Sequence, residues 1–236
     1  MAACFAQQSP LHVALIPDGN GRWAVARGLS RALGHRAGVE AVRRAVRSAS
    51  DFGIGTLTIH ALSRDNWGRP YQDVRAILGC VAQFLDSEKD AFTAGDVRVS
   101  IIGRRDRLPP DVLRAIETTE TATAGGRGLH LRLAVDYSAR NALARAIACA
   151  AQEGDEARLV VARELGSDVD LLVRTGGEQR LSDFLLWECA YAELYFVPVL
   201  WPDFGPEDLA AAVAEFHRRE RRFGKLPPIP ASGTQA

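Results

Sequence analysis

The stretch His12-Val-Ala-Leu-Ile-Pro-Asp-Gly-Asn-Gly-Arg-Trp23 decides how the chain is read. His12–Ile16 has the apolar run of a short strand. Asp18-Gly-Asn-Gly21 is strong turn chemistry, because Gly and Asn tolerate positive φ. A helical pattern follows it. A glycine-rich strand-to-helix turn exposes backbone N–H groups at a helix N-terminus, where anions are favoured. Asp18 has two readings there. It is a turn former or cap, the commoner case for an isolated Asp-Gly, or it carries a divalent cation that bridges to phosphate oxygens.

Further along, strand-like and helical patterns alternate. The strands read as His12–Ile16, Thr56–Ala61, Val97–Ile102, Leu129–Val135, Val169–Val173 and Leu194–Val197. Between them, apolar residues recur at helical spacing: Val39, Val42 and Val46, then Leu113 and Ile116, then Leu143 and Ile147, then Leu209, Val213 and Phe216. Val74 to about Phe92 carries a wider apolar stripe. Such a stripe is a core face or the wall of an elongated apolar cavity. The alternation predicts a single α/β domain with a central, mostly parallel six-stranded sheet surrounded by helices.

The segment Arg174-Thr-Gly-Gly-Glu-Gln-Arg-Leu-Ser182 sits at the end of the fifth strand. Two guanidinium forks and two hydroxyls suit a phosphate-rich ligand, and glycines let backbone come close. A charged surface loop is the plainer reading. Its neighbours tip the balance: Asp18, Ser63-Arg-Asp-Asn-Trp-Gly-Arg-Pro70, Gly103-Arg-Arg105, Asp136-Tyr137 and Arg174 all follow strands. In open α/β sheets ligands bind outside the carboxyl ends of strands, so five such ends point to one shared site.

Composition bounds the alternatives. With 29 basic and 29 acidic residues the formal charge is zero, which gives no reason to expect nucleic-acid binding. Cys4, Cys80, Cys149 and Cys189 are widely spaced, as suits reduced thiols in a cytoplasmic protein. No run reaches 18 apolar residues, and the N-terminus lacks the pattern of a signal peptide.

From His12 to Gly224 the chain resembles the cis-prenyltransferases, the family of undecaprenyl diphosphate synthases. The likeness rests on His12–Ala24, Gly34-His-Arg-Ala-Gly38, Asp65-Asn-Trp-Gly-Arg-Pro70, Arg174–Ser182, Phe184-Leu-Leu-Trp187 through Ala190-Tyr-Ala-Glu-Leu-Tyr-Phe196, Leu200-Trp-Pro-Asp-Phe204 and Arg219–Gly224, in that order. The resemblance implies a catalytic domain over residues 11–224, with residues 1–10 and 225–236 as disordered ends. It implies a hydrophobic tunnel, a homodimer, a cytoplasmic enzyme and Mg2+ dependence. The reaction would condense isopentenyl diphosphate onto an allylic diphosphate such as farnesyl diphosphate, forming a Z double bond. The product could be delivered to a membrane surface. No Asp-Asp pair of the trans-prenyltransferase kind occurs.

Residue roles follow by resemblance. Asp18 is catalytic and a metal ligand, with Glu193 as a second ligand. Gly19, Asn20, Gly21, Arg22, Trp23, Arg31 and His35 bind the allylic diphosphate. Arg174, Arg180 and Ser182 bind isopentenyl diphosphate. Asn66 handles the proton, and Ser63, Trp67 and Arg69 shape the site around it.

The chain departs from the family pattern in places. Pro17 replaces a frequent Met, and Gly68 a bulkier or basic residue. Arg64-Asp65 replaces a small hydroxyl followed by Glu. Asp73 stands where Glu is common. Asp136-Tyr-Ser-Ala-Arg140 replaces Asn-Tyr-Gly-Gly-Arg, and Asp183 a frequent Asn. Ala61, Leu62, Val81, Leu85 and Leu129 are the candidates for setting product length. Small Ala61 favours a long polyprenyl carrier; a short or medium Z-prenyl diphosphate is the alternative. A non-catalytic partner subunit ranks lower, because Asp18, Arg174, Arg180, Ser182 and Glu193 are all present.

Overall fold

The computed structural model describes residues 10–153 and 157–219. One sheet runs in the order β3-β4-β2-β1-β5-β6. Its strands are β1 (Leu11–Ile16), β2 (Ile54–Ser63), β3 (Arg98–Ile102), β4 (His130–Tyr137), β5 (Leu171–Arg174) and β6 (Glu193–Phe196). All five pairings are parallel, so the expected mostly parallel sheet is wholly parallel over these strands. The helices are α1 (Asn20–Val25), α2 (Arg31–Ala49), α3 (Tyr71–Ala94), α4 (Pro110–Ala122), α5 (Ala139–Glu153), α6 (Ala157–Leu165) and α7 (Pro206–Arg218).

All six expected strands form, with shifted ends. β2 gains two residues at each end, and β5 starts at Leu171. Val169 leaves the ladder because its N–H donates to the Glu188 carbonyl. Helix α6 had no counterpart in the sequence pattern. The expected disordered ends lie outside the described residues, apart from Pro10.

Helix ends follow the sequence. Ser30 caps α2 by accepting from the Leu33 N–H, and Pro110 and Pro206 open α4 and α7. Proline there removes only an N–H that has no helical partner.

Strand alternation sorts side chains onto two faces. Val13, Leu15, Leu57, Ile59, Leu131 and Leu133 join the core formed with α2, α3, α4 and α7. Leu15, Leu57, Ile59 and Leu131 are at most 1% exposed. Burial of each such side chain contributes roughly 1.5–3 kcal/mol. Ala14, Ile16, Ala134 and Leu172 join a second core with Tyr137, Phe184 and Leu185. A third small cluster joins α5 to α6.

Candidate active site

The two motif turns meet directly. β1 pairs with β5, with Ile16 opposite Arg174, so the turns that follow these strands lie side by side. Asp18 Oδ2 accepts from Arg174 Nη2 at 2.8 Å, and Oδ1 accepts from Arg22 Nη2 at 3.1 Å. Thr175 adds a double tie: its hydroxyl accepts from the Asp18 N–H at 2.9 Å and donates to the Asp18 carbonyl at 2.8 Å. Burial pushes the Asp18 carboxyl up, but the bonds from Arg174 and Arg22 outweigh it and hold the group below the usual carboxylate range. Asp18 is therefore ionised at neutral pH.

Arg174 is 4% exposed and spans the junction. Its Nη1 donates to Ser182 Oγ at 2.9 Å and to the Arg180 carbonyl at 2.5 Å. Its Nε has no partner. The Arg180 guanidinium instead pairs with Glu178 on the exposed rim.

Close backbone packing builds the other wall. Gly19 has φ +110°, which turns the chain into α1. A Cβ at Gly34 would lie 2.2 Å from the Asn20 backbone carbonyl oxygen, so only glycine lets α2 come this near α1. Trp201 fastens the same corner, donating from Nε1 to the Gly38 carbonyl and from its N–H to the Asp18 carbonyl. A cavity of about 590 Å3 opens here, bounded by Asp18, Arg22, Arg31, His35, Arg69 and Asp73. Burial and then the charge of Arg69 lower the His35 pKa, so its imidazole is neutral at pH 7. Three arginines against two carboxylates, Asp18 and Asp73, leave the pocket lining net positive, so it attracts anions.

The segment after β2 forms a 3-10 turn from Arg64 to Gly68. Ser63 and Asn66 cap it reciprocally: Ser63 Oγ accepts from the Asn66 N–H and Asn66 Oδ1 from the Ser63 N–H, both at 3.2 Å. The Asn66 amide oxygen is thus occupied by its own turn.

Beneath the polar cavity lies an apolar chamber of about 90 Å3 between α2, α3 and β2, bounded by Val39, Val42, Ala61, Ile77, Cys80 and Val81. A second cavity of about 580 Å3 opens at the amino ends of the strands, next to Val46, Ile54, Phe92 and Leu129. Phe84 borders both and is 4% exposed, so its ring stands between the two cavities. The sequence places Phe84 on the same apolar stripe as Val81 and Leu85, but only the latter two were among the candidates for setting product length.

Two expected site residues point elsewhere. Trp23 donates from Nε1 to Asp203 Oδ1 at 2.7 Å and carries Arg27 stacked at 4.3 Å, so it fastens α1 to the 201–203 turn. Glu193 opens β6 opposite Leu171, at the far end of the strands from Asp18, and accepts from Arg219 at 2.9 Å. Thr175 was read only as one of two hydroxyls suited to phosphate, not as the tie that holds Asp18, and Trp201 went unread as a site residue. Their only signal was adjacency to Arg174 and presence in the Leu200–Phe204 motif.

The described residues bring no group of three His, Cys, Asp or Glu side chains together as a metal centre. A single carboxylate beside an anion-attracting cavity still suits Mg2+, which is commonly held by one or two carboxylates together with substrate phosphates. Asp18 is the residue so placed.

A family model described as putative undecaprenyl diphosphate synthase matches residues 16–224. Isoprenyl transferase 1 of Bradyrhizobium diazoefficiens is 54% identical over 93% of this chain and 91% of its own length. Isoprenyl transferase of Caulobacter vibrioides is 44% identical over 91% and 87%. Among solved structures, lavandulyl diphosphate synthase from Lavandula x intermedia, in complex with dimethylallyl diphosphate, superposes with a TM-score of 0.86 at 36% identity, over 92% of this chain and 99% of that one. A probable undecaprenyl diphosphate synthase from Campylobacter jejuni gives 0.78 at 30% identity, over 93% and 100%. With its parallel sheet, its paired motif turns and these relatives, the chain belongs to the undecaprenyl diphosphate synthase family and is a cis-prenyltransferase.

Proposed function

We propose that the enzyme condenses isopentenyl diphosphate onto an allylic diphosphate, with formation of a Z double bond. The observation that carries this reading is the Asp18–Arg174 bond, set between an anion-attracting cavity and an apolar chamber. The allylic C1–O bond breaks and both electrons leave with diphosphate. The double bond of isopentenyl diphosphate attacks C1, and a proton passing from C2 to an oxygen of the departed diphosphate regenerates the alkene. Arg22, Arg31, Arg69 and neutral His35 offset the charge that builds on the departing diphosphate. Arg174, Arg180 and Ser182 hold the second diphosphate. Mg2+, held by Asp18, would supply Lewis-acid stabilisation of the leaving group. The apolar chamber keeps water from the allylic centre. Asn66 positions this centre and does not store the proton, since a carboxamide is not a base at neutral pH.

The partition at Phe84 favours a short or medium product over a long polyprenyl chain, because a growing chain meets an aromatic ring at the floor of the upper chamber. The likeness to a synthase bound to dimethylallyl diphosphate supports the same reading. Homodimer formation is supported by a run of exposed apolar side chains, Leu186, Trp187, Tyr191 and Leu194, the kind of patch that marks association. No helix among the described residues is long and apolar enough to cross a membrane.

The test is product analysis. Purified protein receives Mg2+, labelled isopentenyl diphosphate and, in separate reactions, dimethylallyl, geranyl or farnesyl diphosphate. A single short Z-product supports the Phe84 reading. A long ladder primed by farnesyl diphosphate returns the enzyme to polyprenyl synthesis. No incorporation with any primer overturns the catalytic assignment.

A further inference from the structure

The segment Asp136–Asn141, where β4 ends and α5 begins, touches both substrate loops. Asp136 has a fully buried side chain and φ +51°. Its carboxylate accepts both forks of Arg107, from Nε at 2.6 Å and Nη2 at 2.5 Å. The Arg107 guanidinium lies 4.5 Å from the centre of the Trp67 ring, next to Asn66. Arg64 reaches the same turn, donating to Asn141 Oδ1 at 2.9 Å. On the other side, Ser138 Oγ donates to Asp183 Oδ2 at 2.5 Å, and the Arg140 N–H to Oδ1 at 3.0 Å. The Ala139 N–H donates to the Asp183 carbonyl at 2.9 Å. Asp183 adjoins Ser182, the acceptor for Arg174.

We infer that the turn Asp136–Asn141 is a positioning hub that couples the loop carrying Asn66 to the loop carrying Ser182. Two observations converge on it. Ser182 and Asp183 have φ +51° and +57°, a backbone state that non-glycine residues keep only where their surroundings over-determine it. The bonds from residues 138–140 are that surrounding. The second observation is chemical. Arg64, Asp136, Ser138 and Asp183 each contribute a side-chain bond to this one network. Asn at 136 could not accept a charge-assisted bidentate pair, and Gly at 138 would have no hydroxyl to give Asp183. In this chain the two loops are therefore set as a unit. None of these residues lines the cavity beside Asp18 or the apolar chamber; they act through Trp67 and Ser182. Their meaning for the reaction rests on the proposed function above.

The experiment combines amide hydrogen exchange on the full chain with calorimetric titration of inorganic diphosphate. Asp136→Asn should speed exchange in both 63–69 and 181–185 and weaken diphosphate binding about fivefold. In turnover it should raise KM for isopentenyl diphosphate by a similar factor and leave KM for the primer unchanged. Ser138→Ala cuts the opposite side and should speed exchange at the remote loop, 63–69. If Asp136→Asn fails to fold, Ser138→Ala decides the matter alone. Exchange that changes only beside the substituted residue overturns the coupling. Neither exchange nor diphosphate binding needs turnover, so a wild-type enzyme that incorporates no isopentenyl diphosphate refutes the reaction and not the hub.

Discussion

The two faces of the sheet share the same strands and are built from different side chains. Toward α2 and α3 the strands send Val13, Leu15, Leu57, Ile59 and Leu131, and the layer above them is hollow. Toward α5 they send His12, Ala14, Thr58, His60, Arg132 and Ala134, small or polar groups, of which His12, Thr58 and Arg132 hydrogen-bond inside. His12 is the clearest case. Its Nδ1 donates to the Asp168 carbonyl at 3.0 Å, which leaves Nε2 to accept from the Thr58 hydroxyl at 2.8 Å. Arg132 donates to the Leu165 carbonyl. His60 stacks on Phe184 at 4.4 Å. An apolar void costs stability in proportion to its volume, so a hollow face is kept for what enters it. A polar face can carry Arg174 up to the rim, where it meets Asp18. The reaction needs both a place for hydrocarbon and a hold on diphosphate; the chamber and the anion cavity above it both lie on the α2 side, and the polar face adds Arg174 from beneath.

The strongest challenge to this division is Asp18→Ala at the rim. It should reduce turnover about a thousandfold while the fold persists, because charge stabilisation at the leaving group is lost. Single-turnover incorporation checks this, and full retained activity would sink the site assignment. On the hollow face, Phe84→Ala should cost about 3 kcal/mol in urea unfolding. It should also lengthen the product; unchanged chain length removes Phe84 as the floor. On the polar side, Arg174→Lys should raise KM for isopentenyl diphosphate about fiftyfold, since one ammonium cannot replace a fork that binds Asp18, Ser182 and the Arg180 carbonyl together.

The smallest effect concerns acid. Burial, then the charge of Arg132, lowers the His12 pKa from 6.5 to about 4. A depressed histidine pKa gives stabilisation that is whole above pH 6.5 and fades as pH falls toward 4. His12 alone should contribute a loss of about 2 kcal/mol between pH 7 and pH 5. Urea midpoints at the two pH values, compared between wild type and His12→Gln, measure it. An equal slope in both proteins would assign the acid sensitivity to other groups.

Much of the fold was legible because its strands are short apolar runs separated by helical stripes. The site was legible because glycine-rich and arginine-rich turns follow those strands. Three things were not. Strand order is set by pairings between distant segments, such as β1 with β5, which no local pattern encodes. Phe84 reads as one more core residue on a broad stripe, and only the sheet opposite reveals it as a partition. Glu193 and Trp23 belong to motifs of the right kind, but within the chain their side chains are held by Arg219 and Asp203. A motif identifies which residues matter; direction is a property of the surrounding packing.

The bond between Asp18 and Thr175 spans 157 positions of sequence. A ribosome adding about 5–20 residues per second needs on the order of ten to thirty seconds to cross that gap. For all that time the first motif exists as a nascent segment whose aspartate has Arg22 beside it but not Arg174. β1 is born with only β2 as an early neighbour, and its other flank waits for β5. Chemical competence therefore arrives late in synthesis, and a chain cut short before Ser182 would have the entrance of the enzyme without its hold on substrate.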